Sequence, residues 1–197
     1  MQLRAFGPRA LLAEVADARA AVALGAWARA ARLDVAEVVP AAGTVLFDGV
    51  RDAEALRVAL AAWDGAAPAV QRAPVEVPVT YDGADLGFVA ERWGTDVDGV
   101  VARHTATTFV SAFCGFAPGF AYLTGLDDAL AVPRLDSPRA RVPAGSVALA
   151  GAWCGVYPTA SPGGWRILGR TSVALWDPAR GEPALLAPGT PVRFVRA

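Results

Sequence analysis

From Thr107 to Val195 the apolar residues fall into short runs: Thr107–Cys114, Ser146–Ala150, Val156–Tyr157, Trp165–Leu168, Ser172–Trp176 and Val192–Val195, with glycine and proline between them. Helices do not tolerate that punctuation, because glycine adds backbone entropy and proline removes a hydrogen-bond donor. The spacing predicts many short strands joined by tight turns. Such strands bury their apolar residues by closing into a β-barrel or stacking as a sandwich.

The first third has a different texture. Its pattern predicts a strand near Ala10–Val15, a helix from about Ala18 to Ala31, strands at Val35–Val39 and Thr44–Phe47 before the Asp48-Gly49 turn, and a second helix after Asp52. Asp52 suits an N-cap, since its carboxylate accepts from the unpaired N–H groups of a first turn. Leu56, Leu60 and Trp63 recur at helical spacing, and Gly65 is placed to stop the helix. The order β-α-β-β-α is that of a ferredoxin-like split unit. The stretch Gly65–Pro74 is small, proline-bearing and weakly patterned, which marks a boundary. The expected organisation is α+β: a small ferredoxin-like domain over 1–73 and a domain of short strands, barrel or sandwich, over 74–197. In the second domain, Pro78 within "VEVPVTY" points to an edge strand. Two short helices, Asp85–Trp93 and about Asp96–Arg103, precede the β runs, the first with Leu86, Val89 and Trp93 inward.

Several function classes are excluded by what is missing. All 18 basic residues are arginine, so Schiff-base and P-loop lysine chemistry are closed to this chain. His104 is the only histidine, which removes His-pair metal sites, and no metal ligand set is expected. A net charge of −1 argues against a nucleic-acid partner. No apolar run free of charges and helix breakers is long enough to span a bilayer, and Leu11–Trp27, broken by Glu14, Asp17 and Arg19, lacks the layout of a secretory leader. A cytoplasmic protein without a membrane partner is expected. Cys114 and Cys154 sit in apolar segments and are expected to be reduced and structural.

Three stretches depart from barrel filler. "FCGFAPGFAYLTGL", Phe113–Leu126, crowds glycines, a proline and four aromatic rings into an uncharged segment. It is either a rigid wall with rings mounted on it or a tight barrel corner whose rings are core. "VPRLDSPRARVPAGS", Val132–Ser146, alternates Arg134, Arg139 and Arg141 with prolines, and pinned arginines bind carboxylates or phosphates with little entropy loss; the alternative is a solvated loop. Its Gly145-Ser146 end offers backbone N–H groups and a hydroxyl as an anion nest. "YPTASPGGWRILGRT", Tyr157–Thr171, either brings backbone against a flat ligand or turns a hairpin. His104, just ahead of the first stretch, titrates in the range that suits proton transfer, or serves as a structural hydrogen-bonder.

Together with "PVTYDGADL" and "ARHT", these stretches resemble, in order and spacing, the KipI / allophanate hydrolase subunit 1 family. The resemblance covers essentially the whole chain and is strongest over Tyr81–Thr171. It implies a cyclophilin-like barrel for the second domain, and a place as the B component of a bacterial 5-oxoprolinase. That complex opens 5-oxo-L-proline to L-glutamate with ATP and Mg2+, using a C-type (subunit 2) cyclophilin-like partner and an A-type partner. With the chain ending at Ala197, the C-type partner is expected on a separate polypeptide and this chain alone is expected to be inert. The family also implies two alternatives, a carboxyltransferase-type component acting on urea or allophanate and an inhibitor of a sensor histidine kinase. On this reading His104 and Arg141 are the catalytic candidates. Gly115, Phe116, Pro118, Gly119, Phe120, Arg134, Gly145, Ser146, Ser161, Gly163, Gly164, Trp165 and Arg170 are the substrate- or anion-binding candidates.

Overall fold

The structure, a computed structural model, describes residues 1–66 and 72–197. The chain divides into two compact units, Met1–Arg72 and Ala73–Ala197. Residues 67–71, inside the stretch read as a boundary, lie outside the described residues.

The first unit runs β1 (Gln2–Ala5), β2 (Ala10–Glu14), α1 (Ala18–Ala30), β3 (Glu37–Pro40), β4 (Thr44–Asp48) and α2 (Ala53–Ala61). Its sheet has the order β1-β2-β4-β3 and is antiparallel throughout. The split β-α-β unit is therefore present, with β4 between β2 and β3. An unexpected strand, β1, holds the edge beside β2. Only Leu3 of β1 is partly buried against the core, so the strand carries no alternating pattern to read. Asp17 and Asp52 cap the two helices: Asp17 accepts from Ala20 N at 2.8 Å, and Asp52 from Glu54 N and Ala55 N at 3.0 and 2.9 Å. Each cap satisfies orphan donors of a first turn. The apolar faces that follow, Ala21, Leu24 and Ala28 on α1 and Leu56 and Leu60 on α2, bury with Leu11, Val45 and Phe47.

The second unit contains β5 (Val75–Val79), α3 (Leu86–Arg92), α4 (Val97–Ala106), β6 (Phe109–Cys114), β7 (Ala121–Thr124), β8 (Arg139–Val142), β9 (Ser146–Ala150), β10 (Trp153–Val156), β11 (Ser161–Gly163), β12 (Arg166–Arg170) and β13 (Pro191–Arg196), with one 3-10 turn at Asp128–Leu130. Seven strands form a sheet of order β12-β9-β10-β7-β6-β13-β5, while β8 and β11 make a separate two-stranded ribbon. The sheet closes on itself where β5 ends. Thr80 and Arg170 exchange two backbone hydrogen bonds of 2.9 Å, and Gly83 N and Asp85 N donate to Leu168 O and Ile167 O at 3.0 and 3.1 Å. A closed sheet leaves few backbone groups without partners. The barrel core gathers Val77, Val79, Phe109, Leu123, Leu149, Leu168 and Phe194, with Leu86, Val89 and Trp93 from α3 and its C-terminal cap joining it. The expected mixed architecture of an α+β unit followed by a barrel is what the chain adopts. No helix among the described residues is long and apolar enough to cross a membrane.

Several elements differ from the sequence pattern, and β7, β8 and β11 are strands outside the apolar runs. The second short helix continues to Ala106, so His104 lies within it rather than at its end. Ser172–Trp176 does not join the sheet; Leu175 O accepts from Leu185 N at 2.9 Å and Asp177 N donates to Pro183 O at 3.0 Å, folding the segment back on its own loop.

Strand β9 organises this unit. All five of its residues are buried. Val147 and Leu149 face the barrel core, whereas Ala148 and Ala150 belong to a second cluster with Phe120, Val142, Tyr157 and Trp165. Alternation along a strand sends successive side chains to opposite faces. Here both faces are covered, and the alanines leave room for rings on the outer one.

The barrel seam is made by close backbone approach. A side chain at Gly169 would run into the Thr80 carbonyl. We expect Gly169→Ala to cost about 1–3 kcal/mol, as overpacking does, measured as a shift in urea midpoint. An unchanged midpoint would show that the seam does not hold the barrel shut.

Candidate functional site

The three unusual stretches meet. The loop between β6 and β7 is fixed by its own backbone, with Gly115 N donating to Phe120 O at 3.1 Å and Phe120 N to Ala117 O at 2.9 Å. Phe116 sits at φ +71° and is 62% exposed. A bulky side chain in the left-handed region is an outlier that must be held by its surroundings. Gly119 has φ +83°, and a Cβ there would stand 2.8 Å from Trp176 Cβ and 3.1 Å from Leu175 O. Phe120 turns the other way and is 2% exposed, edge-on to Tyr157 and Trp165 with centroid distances of 5.4 Å to each. The segment is therefore both a barrel corner and a wall: Gly119 and Phe120 are core, while Phe116 stands at the surface.

Between these walls lies a pocket of about 100 Å³. Phe116, Phe120 and Tyr122 line it from the first stretch, Arg134 from the second, and Tyr157, Pro162, Gly163, Gly164 and Trp165 from the third. The Arg134 guanidinium lies over the Trp165 ring, 5.8 Å from its centroid. Desolvation pushes the Tyr157 phenol above its usual range.

Next to Trp165 of the pocket is a charge cluster around Asp85, of which the sequence marked only Arg139. Asp85, read as the start of a helix, makes no capping bond with its side chain. Its carboxylate is buried and accepts from Arg139 Nη2 at 2.8 and 3.0 Å and from Ile167 N at 2.7 Å, with Arg166 Nη1 at 3.6 Å. Arg139 also donates to Trp165 O at 3.3 Å, and Arg166 lies over the Phe88 ring at 3.7 Å. A buried carboxylate is tolerable only with such partners. Asp85 lies within "PVTYDGADL", but nothing local in that motif announces arginines that lie far along the chain.

The expected site residues separate into groups. Phe116, Phe120, Arg134, Gly163, Gly164 and Trp165 share the pocket. Gly115, Pro118 and Gly119 shape its loop, and Ser161 sits on β11 beside Pro162, its buried hydroxyl without a hydrogen-bond partner among the described residues. Arg141 is exposed on β8, outside the pocket lining, and Arg170 pairs with Asp82 at 2.8 Å at the barrel seam. The Gly145-Ser146 nest is closed: Gly145 N donates to Tyr157 O at 2.7 Å, and both Ser146 N and its hydroxyl donate to Pro143 O at 3.3 and 2.8 Å. Tyr122, Tyr157 and Pro162 line the pocket without having been singled out.

His104 requires a correction. It is fully buried, with Nδ1 2.7 Å from the Tyr81 hydroxyl and Nε2 3.4 Å from Cys154 Sγ. Its ring packs against Phe194 and Phe109, with centroids 4.6 and 5.2 Å away. Burial disfavours the imidazolium and pushes its pKa down to about 3. Its environment makes it a neutral core residue rather than a proton carrier near pH 7. Burial likewise raises the Tyr81 phenol and the Cys154 thiol. Both cysteines are free of disulfides.

Residues 1–186 match the carboxyltransferase domain, subdomains C and D. The chain belongs to that family. Over 124 residues it is 51% identical to the B subunit of 5-oxoprolinase from Escherichia coli O157:H7, a match covering 61% of this chain and 57% of the relative. Over 130 residues it is 45% identical to the B subunit of 5-oxoprolinase from Bacillus subtilis strain 168, covering 64% and 54%. The matches thus span little more than half of the relatives' length. Among solved structures, TTHA0988 superposes with a TM-score of 0.83 at 37% identity, over 96% of this chain and 40% of that one. Kluyveromyces lactis urea carboxylase, at 19% identity and a TM-score of 0.68 over 99% of this chain and 21% of that one, shares the fold.

The burial of His104 makes stability depend on pH. In the unfolded chain His104 titrates near 6.5, and in the folded chain near 3. The unfolded state therefore binds the proton first as pH falls, and stability present above about pH 6.5 is lost on the way down towards pH 3. We expect a loss of about 2 kcal/mol between about pH 7 and about pH 5 in urea titrations; equal stability at both values would contradict a neutral, buried imidazole. The two phenylalanines of the loop should also differ. Phe120→Ala should cost about 3–5 kcal/mol as a core ring, and Phe116→Gly less than about 1 kcal/mol, because relief of the positive φ offsets lost contact. Comparable losses for the two variants would remove the distinction between core and surface rings.

Proposed function

We propose that this chain is the B component of a 5-oxoprolinase, a complex that opens 5-oxo-L-proline to L-glutamate at the expense of ATP. The observation that carries the reading is the 51% identity to a relative named as the B subunit of 5-oxoprolinase. The pocket supports it: aromatic walls suit a small flat ring, and a single guanidinium suits the carboxylate of such a substrate.

Lactam opening needs the amide oxygen activated, since the ring nitrogen is a poor leaving group. Phosphorylation of that oxygen by ATP would supply the activation. The pocket itself does not fit the nucleotide. Sites for ligands of that size measure about 300–1,000 Å³, against about 100 Å³ here. Its lining also holds no carboxylate to carry Mg2+. On this reading ATP and Mg2+ are held by the A-type and C-type partners. This chain contributes substrate binding, and the complex works in the cytoplasm. A urea or allophanate carboxyltransferase is supported by the carboxyltransferase-domain match and by a solved urea carboxylase that shares the fold at 19% identity, and we place it second.

The test is reconstitution. The chain is expected to release neither glutamate nor phosphate from 5-oxo-L-proline and ATP by itself, and to release both in equal amounts once the A-type and C-type partners are added. A complex that consumes ATP only with urea would move the assignment to the second reading. Turnover by the chain alone would end the shared-site proposal.

A further inference from the structure

Arg139 and Arg166, which flank the pocket residue Trp165 through a hydrogen bond and the chain itself, share one buried acid, Asp85. Arg134 makes no ion pair among the described residues; its charge rests over the Trp165 ring at the pocket rim. An exposed arginine is ordinarily mobile, but the backbone on either side of this one is pinned. Pro133 O accepts from Arg166 Nε at 3.1 Å, and Leu135 N donates to Gly164 O at 2.8 Å. Both clamps come from the β11–β12 stretch that forms the opposite wall. An arginine whose backbone is fixed and whose guanidinium rests on a ring loses less entropy on engaging a planar anion than one on a loose loop.

The pocket below Arg134 has a narrow chemistry. Its side chains are five aromatic rings, a proline and Arg134, with no carboxylate, thiol, imidazole or aliphatic hydroxyl. Such a lining binds and orients; it offers no nucleophile. A cavity of about 150 Å³ takes one benzene ring, so about 100 Å³ admits part of a small ring and leaves its substituent at the mouth. Two features keep the slot narrow. A side chain at Gly163 would collide with the Tyr157 hydroxyl, and Phe116 is held at positive φ at the opening.

We propose that this chain, without any partner, binds small cyclic monocarboxylates, the ring entering the aromatic slot and the carboxylate pairing with Arg134. The proposal deepens the 5-oxoprolinase reading and rests on it for the choice of 5-oxo-L-proline as probe. The recognition itself follows from the charge and shape of the pocket. Ring and carboxylate are the two features recognised, and the lactam carbonyl is left for chemistry that the partners perform. Arg134 is therefore a substrate-binding residue that sets specificity for an acid over the corresponding neutral amide.

The isolated full chain is titrated with four probes while its backbone amide and indole N–H resonances are followed by NMR: 5-oxo-L-proline, cyclopentanecarboxylate, pyrrolidin-2-one and ATP–Mg2+. The two carboxylates are expected to saturate and to shift the Gly163, Gly164 and Trp165 signals. Pyrrolidin-2-one should bind at least tenfold more weakly, and ATP should leave these signals unmoved. Arg134→Gln should weaken both carboxylates at least tenfold, leave pyrrolidin-2-one unchanged and keep the melting temperature. Arg134→Lys should recover only part of the loss. No saturable binding of either carboxylate, or equal binding to wild type and Arg134→Gln, overturns the proposal. Failure of this inference and of the complex assignment are separable. A reconstituted complex that makes glutamate although the lone chain binds nothing sinks only the inference. A lone chain that binds carboxylates through Arg134, within a complex that makes no glutamate, sinks only the assignment.

Discussion

Strand Ser146–Ala150 has no solvent face, and the site depends on that. Covering the barrel side requires only the ordinary core of Val77, Phe109, Leu149 and Phe194. Covering the outer side requires a second apolar layer, and the chain supplies it with Phe120, Tyr157 and Trp165 packed over Ala148 and Ala150. Rings meeting edge to face tile imperfectly, and they also carry polar edges. The gap they leave, between the Phe116 loop and the glycines of Gly163-Gly164, is the pocket. The site is a by-product of covering a strand on both sides with large, rigid side chains.

Asp85 joins that layer to the barrel. One carboxylate holds Arg139 of the ribbon, Arg166 of the barrel and the backbone of Ile167. Breaking a buried pair of this kind strands a charge in low dielectric, which typically costs about 3–5 kcal/mol. The ribbon that carries Arg139 and Gly163 is outside the seven-stranded sheet, so this cluster and the Leu135–Gly164 bond fix it in place. The same arrangement occupies two arginines, whereas Arg134 makes no ion pair among the described residues.

The trio of Tyr81, His104 and Cys154 shows the opposite use of polarity. Three groups able to titrate sit in or against the barrel core, and burial disfavours the charged form of each. Hydrogen bonds between them make the burial tolerable. From the sequence, a lone histidine beside an unusual loop could be a catalyst or a structural donor. The distinction depends on exposure, and exposure is a property of helix Val97–Ala106 packing on strand Pro191–Arg196, far along the chain.

Local order fixed much of this protein. The cap at Asp52, the apolar spacing of Leu56 and Leu60, and the alternation of short runs with glycine and proline depend on neighbours within a few residues, so they are legible in the chain as written. They sufficed for the α+β unit, for a domain of short strands whose closing into a barrel the family resemblance implied, and for the suspicion that Phe113–Leu126, Val132–Ser146 and Tyr157–Thr171 were special. Strand Gln2–Ala5 was invisible because almost none of its side chains is buried. What the sequence could not settle was which of two polar roles each candidate plays. The hydrogen bonds that occupy Gly145 and Ser146, the acid that takes Arg139 but not Arg134, and the burial that silences His104 come from the packing of segments that are mostly distant in sequence. Tertiary packing alone decided them, because desolvation and pairing are set by what lies within a few ångströms in space.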